Sequence, residues 1–190
     1  MRTDFTACTV AHMEEEFASL AKEGRELFGG LDATQLNWKP DPRQWSVAQC
    51  LDHLLTVDRL MFEAMTRAAD PARRISFLER LPVFPRLFGR MMVKSLGPQV
   101  TRKFPAPSSA TPSASAIDAA IVSRFIDHQS ECATRIRELG RPGAERIVMR
   151  SPFGPITYSL LNACRIVCAH ERRHFEQARR VLTSPGFPHS

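Results

Sequence analysis

Nowhere does the sequence hold a run approaching the roughly 18 apolar residues that a membrane-spanning helix needs. The opening residues, MRTDFTACTVAHMEEEF, lack a continuous apolar core and turn acidic, so they do not read as a secretory leader. These two absences point to a cytoplasmic protein with no stable membrane insertion. A disulfide framework is missing as well. Cys8, Cys50, Cys132, Cys164 and Cys168 are odd in number and fall in helical contexts, which suits small core residues rather than paired staples. Strand signals are almost absent, and no internal repeat or low-complexity tract dominates. The formal charge of +6 is modest: it tolerates an anionic substrate but does not by itself indicate nucleic acid, and none is expected as a partner.

What is present is a chain of 190 residues, 43% apolar, enough to bury a real core in one domain spanning residues 1–190. Helical periodicity accounts for most of it. Val10, Met13, Phe17, Leu20, Leu27 and Phe28 predict a first helix over about 5–28, ended by Gly29-Gly30. A connector, LDATQLNWKPDPRQW, follows, in which the prolines forbid a continuous helix. Its Trp38 and Trp45 suit staples that hold the loop on the bundle end; contact with a ligand is the other role open to them. Ser46 is a good N-cap for a second helix to about Arg67, with Val47, Cys50, Leu51, Leu54, Val57, Met61 and Met65 as its buried stripe. Gln49, Asp52, Asp58, Arg59 and Glu63 are expected to face out, and His53 falls at the stripe's edge. A third long helix is expected over about 116–139, with His128 on its apolar face, as a satisfied core histidine or as a contact near a site. The piece IVMR, 147–150, reads as extended, and Thr157 reads as the cap of the last helix. The tail 183–190 is expected to be loose.

Between the second and third helices, about 68–115, acids are scarce and basic residues such as Arg73, Arg80, Arg86 and Arg90 alternate with Phe77, Phe84, Phe88 and Met91. A short helix near 83–95 precedes a Pro/Ser-rich loop. This insert suits a lid or a subunit interface, which makes a homodimer the expected assembly; a membrane-surface contact and nucleic-acid binding fit it less well.

The last helix, SLLNACRIVCAHERRHFEQARRVL, carries the chemistry. His170 and His174 stand i, i+4, one turn apart on one face, where two imidazoles can share a metal ion. A helical wheel at about 100° per residue puts both inside the apolar sector defined by Ala163, Val167, Cys168, Ala178, Val181 and Leu182. Arg165, Arg172, Arg173, Glu176, Arg179 and Arg180 lie opposite. The bland alternative is two core histidines hydrogen-bonded to a neighbouring helix. Given this half-site, His53 becomes the leading third ligand. Residues 170–174 also spell H-E-x-x-H, the zinc-protease helix signature. However, Gln177 and Arg180 stand where a metzincin needs glycine and histidine, and no aligning sheet is foreseen.

The stretch WSVAQCLDHLLTVD, with His53, and the stretch SPFGPITYSLLNACRIVCAHERRHFEQARRVL, with His170 and His174, together resemble the DinB/YfiT-like superfamily. The Trp-Ser opening of the second helix and the trio Arg173, His174 and Gln177 match its habits too. The resemblance implies an all-α four-helix bundle with His53, His170 and His174 as ligands of a divalent metal such as zinc or nickel. It further implies a small metalloenzyme acting on a small molecule: a thiol-dependent S-transferase using a low-molecular-weight thiol such as bacillithiol or mycothiol, or a metal-dependent hydrolase. A non-catalytic metal- or ligand-binding bundle is the alternative. Glu171 is the candidate general base; the other role open to it is to orient a ligand histidine or pair with an arginine. His128, Trp45 and Tyr158 are the candidates for contacts around the ligands or to substrate.

Overall fold

The computed structural model describes residues 4–74, 84–96, 110–113 and 116–189. α1 spans Val10–Phe28. It starts later than the stripe suggested because Thr9 caps it, accepting the His12 N–H, while Phe5 and Cys8 tuck into the core ahead of the cap. Met13, Phe17, Leu20 and Phe28 are fully buried, each contributing about 1.5–3 kcal/mol by leaving water. At Gly24 an added Cβ would stand 3.0 Å from Phe125 Cε1, so the absent side chain lets two elements close on each other.

The connector is not wholly irregular. Asp32 and Gln35 form a capping box that starts α2, Ala33–Asn37, one turn that the prolines further on do not touch. Trp38 then meets Phe187 edge-on at 5.5 Å, and Gln35 donates to the Pro188 carbonyl at 2.7 Å. The tail expected to be loose is therefore packed back onto the connector, because Phe187 gains burial against the indole. α3 spans Val47–Ala69 and opens, as the sequence predicts, on Ser46, in a capping box with Gln49.

Half of the expected basic, Pro-rich insert, including most of its Pro/Ser-rich loop, lies outside the described residues. Within it, α4 spans Phe84–Leu96 and packs against α6 and β2, defined below. α5 spans Ile121–Leu139, shorter than the predicted 116–139. Asn37 accounts for the difference: its side chain accepts the Ile117 N–H and donates to the Ile117 carbonyl, both at 2.9 Å, and so holds that backbone away from helix. Gly143, at φ +98°, makes the turn that follows.

β1, Val148–Arg150, pairs antiparallel with β2, Thr157–Ser159, with Met149 opposite Tyr158. Thr157, the expected cap, sits in β2 opposite Arg150; Ser159 caps instead, accepting the Asn162 N–H. α6 spans Leu160–Leu182. α1 packs along α5, α3 along α6, and α3 also meets α5, giving a four-helix bundle of α1, α3, α5 and α6. Arg172, expected on the outer face, is largely buried between α6 and α1, paired with Glu16 and, at 2.8 Å, with Glu23. The five cysteines are free and buried. Among the described residues, no helix is long and apolar enough to cross a membrane.

Candidate metal centre

Because α3 and α6 are neighbours, the ring of His53 is carried to those of His170 and His174. His53 Nε2 lies 3.3 Å from His170 Nε2. Ring centroids are 4.5 Å apart for His170 and His174 and 4.6 Å for His53 and His174. One nitrogen from each of the three lies within 4.8 Å of the others. Two nitrogens bound at the usual 2.0–2.1 Å to one tetrahedral ion stand about 3.3 Å apart, so the observed pair already has the spacing of two ligands.

The protonation pattern agrees. His53 Nδ1 lies 2.5 Å from the Ala110 carbonyl, which can only accept; Nδ1 therefore carries the proton and Nε2 turns a lone pair toward the other rings. Burial pushes all three imidazoles toward the neutral form that binds metals. For His170 the shift is far below the usual value, from burial first and then the neighbouring His174 and His53. His174 is pushed down to about 3 by burial and by His53. His53 is lowered by burial, partly offset by its bond to Ala110. The bland alternative of helix-to-helix hydrogen bonds is met only at the His53–His170 contact, since Nδ1 of His170 and Nδ1 of His174 are buried without a partner among the described residues.

Trp45, one residue before the α3 cap, closes the group from the side. Its ring is 4.8 Å from that of His53 and lies nearly parallel to that of His174 at 5.5 Å. The two tryptophans thus divide their roles, Trp38 holding the tail and Trp45 touching the imidazoles. Tyr158 is sealed in the core, its hydroxyl 3.6 Å from Met61 Sδ, and burial raises it to about 12.

Glu171 and His128 belong to a second buried group between α3, α5 and α6. Glu171 is fully buried, accepts from the Gln129 amide at 3.2 Å and hydrogen-bonds with Asp58; burial and that second carboxyl hold it well above the usual carboxylate range. His128 Nε2 lies 3.3 Å from Asp58 Oδ2 and 3.2 Å from Cys132 Sγ. Asp58 corrects the sequence reading, which had it facing out: it has no exposed surface, and burial raises it to about 6. The signal was in the spacing. Asp58 stands four residues after Leu54 and three before Met61, in line with the stripe, and only its polarity argued for the outside. Gln49, also expected outside, is buried in its capping box.

A surface cleft of about 520 Å³, lined by Thr66, Arg67, Asp70, Arg135, Glu138 and Arg141 among others, includes none of these groups. Compared with known proteins, residues 16–178 match the family model described as the DinB superfamily, a span that takes in all three imidazoles. No curated protein and no solved structure matches the chain significantly.

Proposed function

The chain belongs to the DinB superfamily, and from that premise and its clustered imidazoles we propose that it is a small metalloenzyme, a thiol-dependent S-transferase or a metal-dependent hydrolase. The observation that carries the reading is the convergence of three neutral, inward-facing rings from two helices within 4.8 Å. Three protein ligands hold a divalent ion and leave coordination open to a small molecule, which is the pattern of catalytic rather than structural sites. Zinc or nickel suits an all-imidazole donor set.

When bound, such an ion supplies Lewis acidity that acidifies a water or a thiol at neutral pH. The chain's own residues do the rest. Ala110 fixes the His53 tautomer through its carbonyl, so the ring presents a lone pair without reorganising. Trp45 offers an aromatic wall beside two of the ligands, suited to a partly apolar substrate. Arginines of the segment between α3 and α5 are proposed to meet an anionic group on that substrate, and the same segment to form a homodimer contact.

One observation favours a second reading, a non-catalytic metal- or ligand-binding bundle. Glu171, the nearest candidate base, is engaged by Gln129 and Asp58, and burial with that second carboxyl pushes it well above the usual carboxylate range. A carboxyl engaged on both sides is not free to take a proton from water, which also counts against a zinc-protease role for the H-E-x-x-H pentapeptide.

Metal analysis of the purified protein, then turnover of a small electrophile with a low-molecular-weight thiol, separates the readings. The enzyme reading expects thiol-dependent turnover that is lost in His53→Ala. Stoichiometric metal with no turnover of thiol or ester substrates would leave the binding module. Unaltered metal uptake in His170→Ala would remove the basis of the enzyme reading.

A further inference from the structure

The second buried group has a composition that the three-imidazole centre does not explain. Asp58 comes from α3, His128 and Cys132 from successive turns of α5, and Glu171 from α6. Asp58 Oδ2 is 3.3 Å from His128 Nε2 and 3.5 Å from Cys132 Sγ, and that sulfur is 3.2 Å from the same nitrogen. Oxygen, nitrogen and sulfur ligands at their usual bond lengths around one tetrahedral ion are separated by about 3.3–3.6 Å. Two of the three edges fall in that range, and the sulfur–nitrogen edge, at 3.2 Å, is just short of it.

Hydrogen bonds alone leave the group unsatisfied. Asp58 Oδ1, Glu171 Oε1 and Gln129 Oε1 are buried and have no partner among the described residues. All three are acceptors, and each left bare costs about 1–3 kcal/mol. A proton shared between Asp58 and Glu171 can serve one oxygen of each, and still leaves Gln129 Oε1 bare. Two buried carboxyls beside a thiol and an imidazole, an excess of acceptors in one spot, make an environment that a cation completes.

We propose that Asp58, His128 and Cys132 form a second site for a divalent transition-metal ion, distinct from the three imidazoles, with Glu171 hydrogen-bonded to Asp58 beside it. Its role is structural. Asp58 and Cys132 have no exposed surface through which a substrate could reach the ion, which ties α3 to α5 while Glu171 of α6 braces Asp58. Binding releases the Cys132 thiol proton to solvent, so that one thiolate and the Asp58 carboxylate balance the ion's two charges while the proton of the carboxyl pair stays on Glu171. A nucleophilic role for the Cys132–His128 pair does not fit, because Cys132 has no exposed surface for an electrophile to reach.

Cobalt(II) supplied during expression in minimal medium tests this, since loading then accompanies folding. Cysteine is absent from the imidazole centre, so a near-ultraviolet thiolate-to-cobalt absorption band reports the second site alone. The expected result is two cobalt ions per chain with the band, and one cobalt ion with the band retained in His170→Leu. Cys132→Ser, close in size, is expected to keep the fold, lose the band and drop the wild-type count from two to one. Wild-type protein with one cobalt and the band would support this site while refuting the imidazole one. A single cobalt that is lost in His170→Leu, with no thiolate band in the wild type, would overturn the proposal; so would a band that survives Cys132→Ser.

Discussion

His170→Leu should leave the metal-free protein at least as stable as the wild type while removing much of what a metal adds. The wild-type ring is buried with Nδ1 unpartnered, and such an orphan costs about 1–3 kcal/mol. Leucine is of similar volume, removes that cost and adds apolar burial; what it loses is one imidazole–imidazole contact, which leaves His53 Nε2 bare at a similar cost of about 1–3 kcal/mol. The balance is neutral to favourable, unlike an ordinary core substitution. With zinc the order reverses. An ion at a hundred times its dissociation constant stabilises the folded state by about 2.7 kcal/mol, or about 5–11 °C in Tm for a chain of this size. The assay is thermal unfolding of both proteins, in chelator and in excess zinc. The zinc-induced shift in the wild type should exceed that in the variant by about 5–11 °C, whatever any other site adds. Equal shifts in the two proteins would refute the reasoning, and so would a metal-free variant that melts several degrees below the metal-free wild type.

Arg172→Ala should cost about 2–3 kcal/mol in a denaturant melt, between the values for exposed and buried pairs, because it strips Glu16 and Glu23 of a largely buried partner. Arg59→Ala, which loses only an exposed pairing to Glu63, should stay within about 0.5 kcal/mol. Gly24→Leu should destabilise by about 1–3 kcal/mol in the same assay, since the rings of Phe125 and Phe175 fill the space it needs. The pH dependence of the metal-free protein has a definite sign at His174, whose folded value of about 3 lies below the ordinary 6.5. The unfolded chain binds the proton first, so stability is intact above 6.5 and is lost as pH falls toward 3. His174→Leu should therefore gain on the wild type as pH drops, by up to about 2 kcal/mol at about pH 5, read from Tm differences at matched pH.

The bundle was legible because its stripes are long and regular. Leu51, Leu54, Met61 and Met65 on α3, and Ala163, Val167 and Ala178 on α6, repeat at helical spacing and are buried. His170 and His174 were legible for the same reason, since their spacing is local to one helix. Boundaries set by distant partners were not. The start of α5 depends on Asn37 holding Ile117, 80 residues away in sequence. The docked tail depends on Trp38 and Gln35, which no inspection of residues 183–190 can supply. Thr157 and Ser159 are both sound caps by type, and the choice between them was made by strand pairing to Arg150 and Val148.

Asp58 is the instructive case. A wheel assigns faces by polarity, and polarity is a good guide while a helix has one buried arc. α3 has a wider one, because it packs against both α5 and α6. Along the line Leu51, Leu54, Asp58, Met61, Met65, an apolar residue at position 58 would continue the stripe with no desolvation cost. The chain instead carries a carboxyl there, opposite a second one at Glu171, and both have no exposed surface. That arrangement gives up several kcal/mol unless something offsets the charge. A shared proton does so by silencing the carboxyls; a divalent ion would do so by using Asp58, with the imidazole of His128 and the thiol of Cys132 already at ligand spacing.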